Sequence, residues 1–354
     1  MKKRTYKRKG SNKNVFIISL VLILILGFVL LSLYYLKGIT PVELVNQVTQ
    51  KNIELKKVQV VDLESNDRPI AVMINNHQHA RPYHSGLQDA YIIYEVIAEG
   101  GYTRYMALFR DKSPERVGSI RSSRHYFLDY VLENDAIYVH WGWSPQAEKD
   151  IKSLDIDNID GMSYEGKYFY RDKSLPVPLE HTGYVDIADI REATKNLSIR
   201  ETSDSSLLLD YVVDDLNMES YEDIKVAKKV EVPYSGILTT SYVYNADAKV
   251  YERYINGEKH IDYVTKKQYT AKNIIVYNVS NYTFDSYGRQ DIKNIGSGKG
   301  YYISNGYAVP IKWEKDSRSS KTEYTYLDGT ELKVNDGNTY IQIQPSSKKI
   351  VIID

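Results

Sequence analysis

The sequence contains no cysteine. This absence excludes a disulfide framework, a thiol nucleophile, a cysteine-based metal site and attachment of a lipid through an N-terminal cysteine. The sequence also lacks a G-x-S-x-G elbow, an H-E-x-x-H motif and a glycine-rich phosphate loop of Walker or Rossmann spacing. The common serine hydrolases, zinc proteases and nucleotide-binding proteins are therefore not indicated, and we predict no cofactor.

A long stretch near the N-terminus, residues 15–36, is apolar and carries no charge. It follows residues 1–14, which carry seven basic and no acidic side chains. A helix formed by residues 15–36 would span roughly 33 Å, which is enough for a bilayer core. Because basic residues favour the cytoplasmic side, we expect a cytoplasmic tail at 1–14, a single transmembrane anchor at 15–36 and an extracytoplasmic remainder.

Acidic residues outnumber basic ones in the rest of the chain. Beyond Lys37 there are 46 acidic and 38 basic residues, which gives a formal charge of −8. A negatively charged surface repels nucleic acid, and the same repulsion argues against polyanionic wall polymers as ligands of the surface as a whole. A local basic pocket is compatible with this overall charge. The sequence does not predict an oligomeric state.

Alternating runs of apolar residues divide the extracytoplasmic part. We expect an α+β fold, with a stalk at 37–66, a mixed α/β sandwich-like domain at 67–205 and a mainly antiparallel β domain at 206–354. Gly100-Gly101 and Asn256-Gly257 indicate two-residue hairpin turns. The stretches "SSRHYFLDYVLEND", "SPQAEKDIKSL" and "LLLDYVVDDL" are each predicted to be helical.

The stretch "YEVIAEGGYTRYMA" places two glutamates and an arginine around the first turn. A two-residue turn would pair Ile97 with Arg104 and would place Glu95, Glu99 and Arg104 on one sheet face. The two carboxylates would lie roughly 13 Å apart, beyond the spacing of a glycosidase pair. A structural bridge from Arg104 to Glu95 or Glu99 is the competing interpretation.

The stretch "ERVGSIRSSRHYF" holds two arginines three residues apart, next to a predicted helix start. Ser122 or Ser123 would be the N-cap, and Arg124 would then lie in the first turn, where a cation is unfavourable without an anionic partner. Either Arg124 pairs with Glu95 or Glu99, or Arg121 and Arg124 bind the carboxylate or phosphate of a ligand.

Histidines follow the strand that ends near Asn76. His77 and His79 can share a face of an extended chain, but the spacing fixes no third ligand, so we assign no metal. His140 lies between a strand and a loop beside Trp141 and Trp143, whose rings could stack on a sugar or close the core. His181 is isolated in the sequence, which favours a packing role.

Longer stretches resemble, in the same order, the YerB-like family of bacterial envelope proteins. The earlier ones are "RPIAVMINNH", "SGLQDAYIIYEVIAEGGYTRYMALF", "VGSIRSSRHYF", "DAIYVHWGWSPQA" and "KYFYRD". The later ones are "VYERYINGEKHIDYVTKKQYTAKNIIV", "GSGKGYYISNGYAVPIKWEK" and "YLDGTELKVNDGNTYIQIQP". The resemblance covers about residues 67–354.

This resemblance implies an envelope protein of Gram-positive bacteria with a mixed α/β part, a mostly β part and no established reaction. Here the lipoprotein cysteine is replaced by the apolar segment, and Asn75 stands where the family pattern has aspartate. The motif positions carried over, none with a catalytic role, are Glu95, Glu99, Gly100, Gly101, Thr103, Arg104, Arg121, Ser122, Arg124, His140 and Arg171.

Three functional hypotheses follow. The first is a membrane-anchored module that binds a cell-wall component or an envelope partner protein. Its ligand-binding residues would come from Asn76, His77, Glu95, Glu99, Arg104, Arg121, Ser122, Arg124 and His140. The second is a wall-active hydrolase or lyase, with Glu99 as general acid or base and Arg121 as charge stabiliser. The third treats these residues as a buried ion-pair network, with function on the tyrosine-rich surface.

Overall fold

The computed structural model describes residues 57–354, together with Ser32, Tyr34, Thr40 and Val42. Among these residues, no helix has the length and apolar character needed to cross a bilayer. The predicted tail at 1–14 and nearly all of the predicted anchor at 15–36 lie outside the described residues, so the anchor stays a prediction. Residues Val58–Asp354 form one compact unit.

Strands are the main regular structure of this unit, and helices are few. The strands before residue 206 are β1 Ile70–Asn75, β2 Ile92–Ile97, β3 Thr103–Phe109, β4 Val117–Gly118, β5 Ile137–His140, β6 Asn158–Asp160, β7 Phe169–Arg171 and β8 Gly183–Val185. The next are β9 Asp210–Val212, β10 Lys225–Val226, β11 Lys229–Pro233, β12 Thr239–Asn245, β13 Val250–Ile255, β14 Glu258–Lys259, β15 Thr270–Ala271 and β16 Asn273–Val279. The last are β17 Asn281–Thr283, β18 Gln290–Ile292, β19 Gly296–Ser304, β20 Tyr307–Lys315, β21 Glu323–Tyr326, β22 Lys333–Asn335, β23 Thr339–Pro345 and β24 Val351–Ile353. The α-helices of the unit are α1 Leu128–Glu133, α2 Pro145–Ser153, α3 Gly161–Tyr164 and α4 Ile187–Asn196.

A large mixed sheet forms the centre of the unit. It has eleven strands in the order β10-β20-β19-β16-β23-β2-β3-β1-β5-β6, with β21 attached to β20. The strands β1, β5 and β6 are parallel to one another, as are β2, β23 and β16, whereas β3 is antiparallel to both β1 and β2. Strands from both sides of residue 206 therefore share one sheet, and the expected mixed α/β class with mainly β content is confirmed.

A second sheet of six antiparallel strands, β14-β13-β12-β11-β24 with β15 on β13, covers one face of the large sheet. The opposite face packs against α1, where the rings of Tyr94 and Tyr130 stack 4.8 Å apart. All six residues of β2 are buried because this strand lies between the two layers. Side chains alternate along a strand, so Tyr94 faces α1 while Glu95 faces the second sheet.

The two predicted hairpins have different loops. Ile255 pairs with Glu258, so Asn256-Gly257 is the expected two-residue turn. Ile97 pairs with Thr103 and Val96 with Arg104, so the first loop is longer than expected. The predicted Ile97–Arg104 pairing was wrong by one residue, and such a slip moves Arg104 to the face opposite Glu95.

Two of the three predicted helices form. α2 begins as expected, with the Ser144 hydroxyl accepting a hydrogen bond from the Ala147 amide. Before α1, a 3-10 turn covers His125–Phe127 and its N-cap is Arg124, so neither Ser122 nor Ser123 is the N-cap. The predicted helix "LLLDYVVDDL" was wrong: Leu209 and Tyr211 are buried two residues apart, which is the strand period of β9.

Candidate functional site

The candidate site lies at the edge of the large sheet where β1, β5 and β6 end. At this edge, the loops that follow these three strands lie next to the β2–β3 loop and the segment 119–124. The bridge between Ser123 and Trp143 joins that segment to the loop after β5. Ligand sites in α/β proteins usually lie at the carboxyl ends of parallel strands. Backbone groups within the strands are already hydrogen-bonded to neighbouring strands, whereas those of the loops at the strand ends are available to a ligand.

An ion-pair triad lies within this edge. Glu99 accepts hydrogen bonds from Arg124 Nε through Oε1 and from Arg104 Nη2 through Oε2, the latter at 3.0 Å. Arg104 also donates to the Ser122 carbonyl, and Arg124 Nη1 donates to the Ser123 carbonyl at 2.7 Å. The predicted pairing of Glu99 with Arg104 is confirmed, and Ser122 contributes its carbonyl oxygen to the triad.

Electrostatics keep the triad charged. Burial raises the pKa of Glu99, but Arg104 and Arg124 outweigh it, so this pKa lies below its usual value. Burial, followed by repulsion from Arg124, lowers the pKa of Arg104 to about 9. At neutral pH the carboxylate is ionised, both of its oxygens accept hydrogen bonds, and the triad carries a net positive charge.

Two more arginines extend this positive region. Arg121 is 27 % exposed, and its Nη2 lies 3.4 Å from Glu180 Oε1. The Arg81 guanidinium stands 5.7 Å from the Tyr102 ring, and its Nε donates to the Asn76 carbonyl. Burial lowers the pKa of His77, and the nearby His79, Arg121 and Arg81 lower it further. We call Arg81, Arg104, Arg121 and Arg124 the cationic cluster.

Three histidines lie beside the cationic cluster. Ring nitrogens of His77, His79 and His181 are all within 4.8 Å of one another, and we call these residues the histidine cluster. The rings of His77 and His181 stack 4.9 Å apart. His181 was expected to have a packing role; it lies about 100 residues from the other two, so no sequence spacing could have identified it.

Hydrogen bonds orient two of these rings. His181 Nδ1 is 2.7 Å from the Asn75 side-chain amide, and His77 Nδ1 accepts from the His79 backbone amide at 3.3 Å. The 3-10 turn that carries His181 is held by Arg171, whose Nη1 donates to the Leu179 carbonyl at 2.7 Å. Burial and Arg121 lower the pKa of His181 to about 4, so its ring is neutral at neutral pH.

Glu95 and Asn76 lie beneath the site in the interior. Glu95 Oε2 and Arg253 Nη2 are 2.6 Å apart, and neither side chain is exposed. The Glu95 carboxylate also accepts from Thr103 at 2.7 Å, and Asn76 Nδ2 donates to Thr103 at 2.6 Å. The predicted reach of Arg104 to Glu95 was therefore wrong, because the register places the two side chains on opposite faces of the sheet.

A directional hydrogen-bond chain continues from this pair. Arg253 Nη1 donates to His260 Nδ1 at 2.6 Å, His260 Nε2 lies 2.8 Å from His84 Nδ1, and His84 Nε2 lies 2.6 Å from the Asn75 carbonyl. Both rings satisfy this chain as neutral imidazoles with the proton on Nε2. Burial lowers the pKa of His84 to about 3 and that of His260 far below its usual value.

His140 does not reach the surface of the site. Its ring is fully buried, with Nδ1 at 2.9 Å from the Gly142 carbonyl and Nε2 at 3.1 Å from Asn158 Oδ1. It fixes the loop after β5, whereas Trp143 in that loop is partly exposed. The candidate ligand-binding residue His140 thus lies in the core, and so does Trp141, whereas Trp143 is left at the surface.

Comparisons with known proteins agree with this architecture. Residues 58–200 match the model described as "Protein of unknown function (DUF3048) N-terminal domain", and residues 230–341 match the corresponding C-terminal domain. The chain is 34% identical over 284 residues to "Putative lipoprotein YerB" of Bacillus subtilis (strain 168), covering 78% of this chain and 81% of the relative. The crystal structure of the YerB protein from Bacillus subtilis aligns with a TM-score of 0.73 at 30% identity, over 85% of this chain and 98% of that one. The chain therefore belongs to the YerB-like family of proteins of unknown function that carry both DUF3048 domains.

Proposed function

We propose that this protein is an extracytoplasmic module of the cell envelope that binds an anionic group of a cell-wall component, such as a peptide-stem carboxylate, through the cationic cluster. Its envelope location is supported by the lipoprotein name of the relative. It is also supported by the basic tail and the apolar segment at 15–36, which would anchor this chain to the membrane without a lipid.

The observation that carries the proposal is a local excess of guanidinium groups in an acidic chain. The four arginines of the cationic cluster lie near three carboxylates, of which Glu99 and Glu180 contact cluster arginines directly and Glu95 is paired with Arg253 below Arg81. The chain beyond Lys37, by contrast, has a formal charge of −8. Arg104 and Arg124 are held by Glu99 and by backbone carbonyls, so their orientation is fixed before a ligand arrives. Preorganised, partly buried guanidinium groups bind carboxylates strongly because little side-chain entropy is lost.

The hydrolase hypothesis receives less support from the same geometry. A general acid needs a raised pKa, and the pKa of Glu99 is lowered by two guanidinium groups that bind both of its oxygens. Glu95, the other glutamate considered, is enclosed by Arg253, Thr103 and Thr240 and has no exposed surface.

The test is a co-sedimentation assay with isolated peptidoglycan and purified residues 58–354, which form the compact unit. Arg121→Ala is the test variant because the Arg121 side chain is more exposed than those of Arg104 and Arg124. Its partner Glu180 is also exposed, so the substitution leaves no buried carboxylate without a partner. Arg200→Ala is the matched control: it removes the same charge at the opposite end of β5, where Arg200 pairs with Asp135 at 2.6 Å. A second sample of peptidoglycan carries chemically amidated carboxyl groups.

Wild type and Arg200→Ala are expected to bind alike. Arg121→Ala is expected to bind at least about tenfold more weakly, since a hydrogen bond to a charged group contributes about 1.5–3 kcal/mol. Amidated peptidoglycan should bind no variant. Equal binding of amidated and native peptidoglycan would refute an anion site, and muropeptide release that Glu99→Gln abolishes would establish the hydrolase. If no peptidoglycan binds, an envelope partner protein becomes the ligand to seek.

A further inference from the structure

Beyond the proposed anion binding, we infer that His77, His79 and His181 form a binding site for a transition-metal ion of the zinc class. Three imidazole nitrogens within 4.8 Å of one another supply the donor set that zinc, cobalt and nickel prefer. Spacing along the chain identified two candidate histidine ligands and no third, and the fold brings the third, His181, from the 3-10 turn Leu179–His181.

The accessible ring atoms fit such a site. Nδ1 of His77 accepts the His79 amide and Nδ1 of His181 accepts the Asn75 side-chain amide, so without a metal both rings carry their proton on Nε2. Metal binding through Nε2 requires that proton to move to Nδ1, which breaks the 3.3 Å contact between His77 and the His79 amide. His79 is exposed and His77 is half-buried, so both rings can turn about their Cβ–Cγ bonds and close the remaining separation. His181 is buried and serves as the fixed ligand.

Glu180 lies where a fourth ligand would be. Its Oε1 is 3.4 Å from His181 Nε2. Two ligand atoms of one tetrahedral zinc ion, each about 2.0–2.1 Å from the metal, lie roughly 3.3 Å apart. The carboxylate also offsets part of the charge of Arg121, which otherwise opposes a cation at this position. The donor set would then be three imidazoles and one carboxylate.

Asn75 supplies a specific test of the outer shell. When His181 binds metal through Nε2, its Nδ1 carries a proton and needs an oxygen acceptor. The Asn75 amide has one oxygen, which already accepts the His77 backbone amide at 3.1 Å. In Asn75→Asp a second oxygen is available, so His181 can donate to one while His77 keeps the other. We expect this substitution to strengthen metal binding.

The experiment titrates tag-free, chelator-treated residues 58–354 with Zn²⁺ by calorimetry and with Co²⁺ by visible absorption, in the absence of peptidoglycan. Wild type should bind one ion per chain, and the Co²⁺ complex should show the intense bands of a tetrahedral site. His79→Ala should weaken binding by at least about 100-fold, since loss of a ligand exceeds the roughly 10–100-fold cost of losing an outer-shell partner. Gln78→Ala, an exposed neighbour outside the cluster, is the control and should match wild type.

Two of the contrary outcomes are measured on the wild type, so the test does not depend on a variant that folds. The site would be overturned by octahedral Co²⁺ spectra or by a stoichiometry other than one. It would also be overturned by equal Zn²⁺ affinity of His79→Ala and Gln78→Ala. Weaker Zn²⁺ binding by Asn75→Asp would contradict the assigned role of His181 Nδ1. Because no wall polymer is present, failure of this experiment leaves the anion proposal to its own test.

Discussion

The buried pair Glu95–Arg253 provides the sharpest test of how the two halves of the chain are joined. Glu95 belongs to the N-terminal family match and Arg253 to the C-terminal one. Their charged atoms are 2.6 Å apart with no exposure, and Arg253 Nη2 also donates to the Tyr105 hydroxyl at 3.1 Å. Because neither side chain reaches the solvent, removing one leaves the other as a buried, uncompensated charge.

Arg253→Met and Glu95→Gln should therefore each lower the free energy of unfolding by about 3–5 kcal/mol. The double variant removes both charges and keeps similar volumes, so its loss should be far smaller than the sum, with a coupling of about 3 kcal/mol or more. The assay is urea unfolding of residues 58–354, followed by tryptophan fluorescence and by circular dichroism so that coincident transitions can be verified.

Additive losses would refute this reasoning, because independent effects mean that the two charges do not neutralise each other. A loss below about 1 kcal/mol in Arg253→Met would mean that Glu95 is solvated or protonated instead. The control is Arg289→Met, because Arg289 forms an ion pair with Asp285 at 2.8 Å but is partly exposed. That change should cost about 1 kcal/mol or less.

Two further predictions concern acid and backbone conformation. The pKa of His84 is about 3 in the folded protein against 6.5 for the free side chain, so below pH 6.5 the unfolded state binds more protons and stability falls. From pH 7 to pH 5 the loss from His84 alone should be about 2 kcal/mol in urea unfolding, and stability that rises over this interval would contradict a neutral buried ring. Gly86 has φ +78°, and a Cβ there would lie 2.6 Å from the Arg116 carbonyl oxygen, whereas Gly288 has φ +79° and open space around it. Gly288→Ala should lower the free energy of unfolding by about 1–2 kcal/mol through the left-handed backbone alone, and Gly86→Ala should lower it by clearly more. Calorimetric melting temperatures of the two variants measure this difference, and equal shifts would mean that the loop at Gly86 relaxes.

Local signals in the sequence determined much of the secondary structure. The turn at Asn256-Gly257 forms as predicted because both residues adopt positive φ, at 52° and 83°. α2 begins at Pro145 after its Ser144 cap, since capping depends on residues within one turn. Glu99 and Arg104 are five residues apart across a loop, so their contact survived the register error.

Only the tertiary structure decided the partners that lie far apart in the chain. A shift of one residue in the β2–β3 register moved Arg104 away from Glu95. The alternation of apolar residues could not predict this register because every residue of β2 is buried, whichever face of the sheet it lies on. Arg253 reaches Glu95 from 158 positions away, because β13 packs across the face of β2. His181 joins His77 and His79 through the ends of different strands. Contacts of this kind depend on how the sheets pack, and no local spacing in the sequence encodes that.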